Sequence, residues 1–212
     1  DVNGEPSTSR IEQLCLAHTY GSGGDESCEN TVRAVENLLF GQTVDHYAAL
    51  SMDAVPILVD LIGGVPVTID TDMTAVDPRL IEGETVTLEG ELALSYVRAR
   101  QIVSDGTNQS RMARQEQFLQ ASWEAWKEKT ASGDAVELGA DALVSLGERL
   151  RSDCTVQKLS RFLERIEQCE LTVLPAPAGE AKISEENIAE FYVDDDALEQ
   201  TVLKLFYREE IS

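Results

Sequence analysis

The chain has 212 residues, of which 42% are hydrophobic and 26% are charged. These fractions are ordinary for a globular domain and exclude a disordered tail. The 17 basic residues are outnumbered by 39 acidic ones, which gives a net charge of −22 at pH 7. That balance excludes a general nucleic-acid binder, whose surface is basic. The sequence contains no run of about 18 apolar residues, so it predicts no membrane-spanning helix.

Helices and strands are predicted to alternate along the chain. Asn30 or Thr31 is a suitable cap for a helix that Gly41 ends. Asp53 opens a later helix, with Pro56 in its first turn. The predicted helices cover residues 10–17, 30–39, 53–62, 89–99, 110–130, 136–150, 155–168 and 195–207. The predicted strands cover residues 44–51, 65–69, 170–174 and 189–193, and the predicted loops include 19–29, 70–90, 101–109 and 175–181.

This order of elements indicates a layered α/β fold, in which helices flank a central mixed sheet in an α-β-α arrangement. We expect one domain over residues 1–175. Residues 176–212 form a C-terminal strand and helix that we expect to pack on the same domain.

The four cysteines show neither a C-x-x-C pair nor zinc-ribbon spacing; they are Cys15, Cys28, Cys154 and Cys169. An even number permits two disulfides in three connectivities, and the pairs 15/28 and 154/169 are each close in sequence. Four free thiols are the alternative, since free cysteine is often buried. The sequence leaves both open.

A short basic window interrupts the acidic chain between Leu92 and Gln115. It holds four arginines, one acidic residue and no lysine: Arg98, Arg100, Arg111, Arg114 and Asp105. Arginine binds phosphate and carboxylate in a planar, bidentate manner, whereas lysine acts as a point charge. Two arginine pairs that flank a loop are suited to one pyrophosphate. Ion pairs with surrounding carboxylates are the alternative interpretation.

Four segments in this order resemble the LytR–CpsA–Psr family of cell-wall proteins. They read DHY at 45–47, LVDLIGGVPVTI at 58–69, LIEGETVTLEGELALSYVRAR at 80–100 and NQSRMARQ at 108–115. The resemblance covers roughly residues 10–120. It implies a phosphotransferase that moves an anionic glycopolymer, of the teichoic acid or capsular polysaccharide type, from a polyprenyl-pyrophosphate carrier to peptidoglycan.

The resemblance also implies the site residues. The family's Y-x-R-x-R arginines fall on Arg98 and Arg100, and its R-x-x-R-Q residues fall on Arg111, Arg114 and Gln115. Asn108 stands where the family has an acidic residue, and Arg10 and Asp105 are further candidates. Among these we expect the catalytic role for Arg98, Arg100 and Arg111. The pyrophosphate-binding set adds Arg114, Gln115 and Asn108.

The family's metal-binding aspartates lie in segments upstream of the resemblance. We therefore expect an N-terminally incomplete member that lacks the first strands of the sheet. Mg²⁺ is the cofactor that the resemblance implies, with ligands in that upstream part. An extracytoplasmic position at the cell surface, with membrane attachment through an N-terminal anchor, is implied as well.

Two other functions remain open at this point. The first is a non-catalytic module that binds polyprenyl pyrophosphate or glycopolymer without turnover. The second is a regulatory protein of the cell envelope. The acidic balance excludes nucleic acid as a direct partner of either one.

Overall fold

The computed structural model describes residues 13–99, 108–131, 133–166, 169–174, 177–183 and 189–207. The chain forms two compact units, one from residues 1–47 with 174–212 and one from residues 48–173. In chain order the helices and strands are α1 (Asp25–Leu38), β1 (Ala48–Leu50), α2 (Ala54–Leu61), β2 (Val65–Thr68), β3 (Thr85–Leu88), α3 (Gly90–Arg98), α4 (Asn108–Thr130), α5 (Ala135–Leu146), β4 (Leu150–Ser152), α6 (Val156–Ile166), β5 (Gly179–Ile183), β6 (Ala189–Val193) and α7 (Asp195–Phe206).

The α/β class that the sequence predicts is confirmed, but the strands pair differently from the expected central mixed sheet. Within the described residues they form three two-stranded antiparallel sheets, in the orders β1-β4, β2-β3 and β5-β6. The first two sheets belong to the second unit and the third to the first unit. The predicted division between residues 175 and 176 stays a prediction.

The first unit contains α1, α7, the β5-β6 hairpin and a 3-10 helix over Leu14–Tyr20. The prediction that α1 begins near residue 30 is wrong, because the helix already starts at Asp25. Asp25 and Glu26 lie in its first turn, where acidic side chains stabilise the positive end of a helix. The end of α1 near Gly41, which has a φ of +80°, agrees with the prediction.

Three strands were not predicted: β4, which is treated below, and two that lie in predicted loops. Residues 70–90 contain β3, which pairs with β2 so that Val65 faces Leu88 and Thr68 faces Thr85. Residues 175–181 overlap β5, the partner of β6. Each strand is short and becomes a strand only through a partner elsewhere in the chain, so its own residues carry a weak signal.

Two further predictions are wrong in the second half of the chain. The α-helix in the predicted stretch 136–150 ends at Leu146, because Gly147 takes a φ of +51°; a 3-10 helix over Gly147–Arg149 follows, and β4 begins at Leu150. Residues 170–174 are described without strand pairing, so the strand predicted there does not form. All four cysteines are free thiols, which excludes the disulfide alternative for this structure.

The core of the second unit lies between β2, β3, α2 and α3. Apolar side chains that alternate along β2 meet the buried face of α3, and Phe118 and Ala121 of α4 pack against them. The fully or nearly fully buried members are Val59, Val65, Val67, Ile69, Met73, Leu80, Leu88, Leu92, Ala93, Tyr96 and Val97. This core fixes α3 and the first half of α4 beside each other.

Candidate functional site

Arg98 lies in the last turn of α3, and its side chain is exposed. The helix forms because Leu92, Ala93, Tyr96 and Val97 repeat at helical spacing and bury one face. Arg98 follows that buried face, at the end of the helix where a cation is favoured by the helix dipole. Ala99 then leaves the helical conformation, with φ −52° and ψ 133°.

Arg111 and Arg114 lie in the first two turns of α4, three residues apart and therefore on one face. Arg111 is half-buried. Arg114 is only 9% exposed, which is unusual for an arginine. The loop that precedes α4 is outside the described residues.

Arg114 and Gln115 hold the end of α3. Arg114 Nη2 donates a hydrogen bond to the carbonyl oxygen of Ala99, and Gln115 Nε2 donates to that of Val97 at 3.2 Å. Carbonyls in the last turn of a helix have no partner within the helix. Both side chains therefore satisfy backbone groups and join α4 to α3.

A second polar connection runs through Gln117. The Tyr96 hydroxyl donates to Gln117 Oε1 at 2.5 Å, and Gln117 Nε2 donates to the carbonyl oxygen of Thr68 at 2.9 Å. Burial, followed by the charge of Asp70, raises the pKa of Tyr96 to about 12, while Arg114 acts in the opposite direction. Tyr96 therefore stays protonated at neutral pH and remains the donor.

The contact between the end of α3 (Val97–Ala99) and the first two turns of α4 (Arg111–Gln115) is called the α3–α4 joint below. Two guanidinium nitrogens at this joint are buried without an acceptor. Among the described residues, neither Arg111 Nε nor Arg114 Nε has a hydrogen-bond partner. A buried donor without a partner costs about 1–3 kcal/mol. The protein has a net charge of −22, yet no carboxylate among the described residues pairs with these two donors. They are therefore suited to bind acceptor atoms that a ligand supplies.

The structure brings four of the predicted site residues to the α3–α4 joint. They are Arg98, Arg111, Arg114 and Gln115. Asn108 begins α4, and its side chain is not among those described. The remaining candidates, Arg10, Arg100 and Asp105, lie outside the described residues.

Sequence reasoning missed Tyr96 and Gln117. Tyr96 belongs to the Y-x-R-x-R segment, so the sequence shows that it lies two residues before Arg98. Its hydrogen bond to Gln117 could not be predicted from the sequence, because Gln117 is 21 residues away along the chain. Gln117 follows Arg114 at a spacing of three, which placed it on the same face of the helix.

The described part of the second unit does not itself fit a magnesium ion, which takes several oxygen ligands. Asp70 and Asp72 follow β2 and are exposed. Asp72 already accepts hydrogen bonds from Thr74, from both the backbone nitrogen and the hydroxyl, at 3.1 Å each. No third His, Cys, Asp or Glu among the described residues of this unit completes a ligand set with them.

Comparison with known proteins gives one consistent answer. The model of the LytR_cpsA_psr family matches residues 4–205. The polyisoprenyl-teichoic acid–peptidoglycan teichoic acid transferase TagU of Halalkalibacterium halodurans is 30% identical over 164 residues, which are 74% of this chain. The chain spans about half the length of that relative, 51%.

Two solved structures share the fold. TagT bound to LIIa-WTA matches with a TM-score of 0.70 at 22% identity, over 91% of this chain and 70% of that one. TagU of B. subtilis matches with a TM-score of 0.59, also at 22% identity, over 90% of this chain and 74% of that one.

Proposed function

Because this chain belongs to the LytR_cpsA_psr family, we propose that it is part of a phosphotransferase that links an anionic glycopolymer to peptidoglycan. The glycopolymer arrives on a polyprenyl-pyrophosphate carrier and is of the teichoic acid or capsular polysaccharide type. The related TagU is by its name a transferase of teichoic acid from a polyisoprenyl carrier to peptidoglycan. The place of action is the cell envelope.

One observation supports this proposal above the others: the two buried, unpartnered nitrogens of Arg111 and Arg114 beside the exposed Arg98. Phosphate oxygens are strong acceptors and pair with guanidinium groups in a bidentate manner. A pyrophosphate at the joint supplies acceptors where the protein supplies none. Ion pairing with surface carboxylates, the alternative from the sequence, does not provide acceptors for these two atoms among the described residues.

The chemistry assigned to these residues is positioning and charge stabilisation. In phosphoryl transfer the protein itself takes part in little covalent chemistry, and arginines stabilise the negative charge on the transferred and leaving groups. We propose that Arg98 and Arg100 bind the leaving phosphate and that Arg111 and Gln115 bind the transferred one. Arg114 holds the end of α3 through its Nη2 and offers its unpartnered Nε to the pyrophosphate.

Mg²⁺ remains a prediction for this protein. The described residues of the second unit do not supply its ligands, so we assign no step to the ion. Membrane attachment remains a prediction as well. In the described part of the chain, no helix combines the length and the apolar character that a membrane crossing needs.

A second candidate function is a module that binds the pyrophosphate carrier without turnover, because buried, unpartnered guanidinium donors suit binding alone as well as they suit transfer. Both functions need the same arginine site. They differ in the formation of a phosphodiester bond to peptidoglycan, which an assay with carrier-linked glycopolymer and peptidoglycan detects directly.

Calorimetric titration with farnesyl pyrophosphate tests the shared site. We expect binding to the unmodified protein, weaker binding of farnesyl monophosphate, and at least a tenfold loss of affinity in Arg98→Ala. Arg161→Ala is the matched control, since Arg161 is an exposed arginine on α6 of the same unit and removes the same charge. Equal losses in the two variants would reduce the effect to general electrostatics and contradict the site.

A further inference from the structure

We propose that Gln117 is a positioning residue, which fixes α4 to α3 and to β2 so that Arg98 and Arg111 face one ligand. This inference rests on the proposed function, because it concerns the same arginine site. Gln117 itself touches Tyr96 and Thr68 and is not assigned any contact with the pyrophosphate.

The side-chain amide of Gln117 makes two hydrogen bonds, one through its oxygen and one through its nitrogen. Oε1 accepts from the Tyr96 hydroxyl on α3, and Nε2 donates to the Thr68 carbonyl at the end of β2. Glutamine is the side chain that offers an acceptor and a donor at this reach. A carboxylate lacks the donor, and methionine, which has a similar length, lacks the donor and offers only a weak sulfur acceptor.

The position of Gln117 connects this bridge to the arginines. Gln117 follows Arg114 by three residues on α4, and Arg114 follows Arg111 by the same spacing, so each is a surface neighbour of the next. On α3, Tyr96 precedes Arg98 by two residues. The Tyr96–Gln117 bond therefore joins the two helices within about two turns of both arginines.

The surroundings make this bridge rigid. Tyr96 is 1% exposed within the core, and β2 is paired with β3 and packs against α4. Without Gln117, the Tyr96 hydroxyl loses its acceptor in a buried place, so the joint must shift to find another one. Misplacement of a binding group by about 1 Å can cost a hundredfold in rate, and affinity for a bidentate ligand depends on the same geometry.

The test compares two properties of Gln117→Met: its affinity for farnesyl pyrophosphate in the folded state and its thermal stability. We expect an affinity loss of at least tenfold. Gln120→Met is the first control, since Gln120 is exposed on the same helix. Arg149→Met is the second control, because it removes a side chain of similar reach and its 2.8 Å pair with Asp53 in the same unit without touching the joint. Both controls keep the affinity of the unmodified protein.

Gln117→Glu separates positioning from stability and serves if Gln117→Met fails to fold. At neutral pH its carboxylate accepts from Tyr96 but repels the Thr68 carbonyl, so the affinity falls. When the carboxyl is protonated it regains a donor, and we expect the ratio of variant to unmodified affinity to rise as pH falls from 7 to 4, toward the ordinary pKa of a glutamate carboxyl near 4.3. The nearby charges of Asp70 and Arg114 are present in both proteins and cancel in the ratio.

Three results would overturn the proposal. Unchanged affinity in Gln117→Met, with stability alone reduced, assigns Gln117 a structural role and leaves the proposed function intact. An affinity of Gln117→Glu that equals that of the unmodified protein at every pH also assigns Gln117 a structural role only. Absence of farnesyl pyrophosphate binding by the unmodified protein contradicts the proposed function itself, and the positioning role with it.

Discussion

Removal of the Tyr96 hydroxyl tests the joint between α3 and α4 through its pH dependence. In Tyr96→Phe the Gln117 Oε1 atom loses the donor that lies 2.5 Å away, and the ring keeps its packing in the core. A hydrogen bond lost between buried groups costs about 1–2 kcal/mol of the free energy of unfolding. That is the difference we expect between the two proteins at pH 7.

The difference in the free energy of unfolding between the unmodified protein and Tyr96→Phe becomes smaller at alkaline pH. Burial raises the pKa of Tyr96 to about 12 in the folded state, against about 10 in the unfolded chain. The folded protein therefore holds the proton more tightly, and the stability that it contributes is complete below pH 10 and is lost as pH rises toward 12. Between pH 9 and pH 11 this loss amounts to about 1.3 kcal/mol, which the phenylalanine variant does not share.

Urea unfolding at 25 °C, followed by tryptophan fluorescence, measures the free energy of unfolding of both proteins at each pH. Both tryptophans, Trp123 and Trp126, stack on α4 with ring centroids 5.1 Å apart, so the signal reports on the second unit. Tyr207→Phe is the control, because Tyr207 is 58% exposed and lies outside that unit. A difference between Tyr96→Phe and the unmodified protein that stays constant from pH 9 to pH 11 would refute the reasoning.

Two further changes test other parts of the second unit. Gly64 has a φ of +92°, and a Cβ there would lie 2.6 Å from Thr87 Cγ2, so Gly64→Ala should lower the free energy of unfolding by about 1–3 kcal/mol in a urea titration; an unchanged midpoint would contradict the strained conformation. Hydrogen bonds from Arg79 lower the pKa of Asp77 to about 2, so the stability gained from them is present above pH 4 and is lost as pH falls toward 2. In Arg79→Met the carboxyl pKa, read by NMR titration, should return to about 3.9, and a carboxyl that still titrates near 2 would show that Arg79 is not the cause.

The helices around the site were predictable because their ends are marked in the sequence. For α2 and α3 the predicted bounds differ from the observed ones by a single residue at each end. Asp53 precedes α2, and the Gly63–Gly64 pair follows it with positive φ at both residues. These are local signals, which act within one or two turns of a helix.

The strand β3 was not predictable by the same means. Its four residues sit in a stretch rich in acidic and turn-forming residues, and they become a strand by pairing with β2, whose residues lie 17 to 23 positions earlier. Such pairing depends on the tertiary fold, which composition over a short window does not reveal.

That the arginines form one binding site stays a prediction, but their places on the helices followed from the sequence. The pattern put Arg98 at the end of one helix and Arg111 and Arg114 at the start of the next, and the structure has them there. That Arg114 is buried and holds the end of α3 depends on the packing of α4, so the spacing of three residues could not show it. The role of Gln117 depends on partners 21 and 49 residues away.

The most direct test of the central claim is the thermal shift caused by farnesyl pyrophosphate, compared between the unmodified protein and Arg98→Ala/Arg111→Met. A ligand at 100 times its Kd that binds only the folded state adds about 2.7 kcal/mol. For a chain of this size that raises Tm by roughly 5–11 °C. We predict this rise in the unmodified protein and its loss in the double variant. A rise of the same size in the double variant would contradict a pyrophosphate site at the α3–α4 joint.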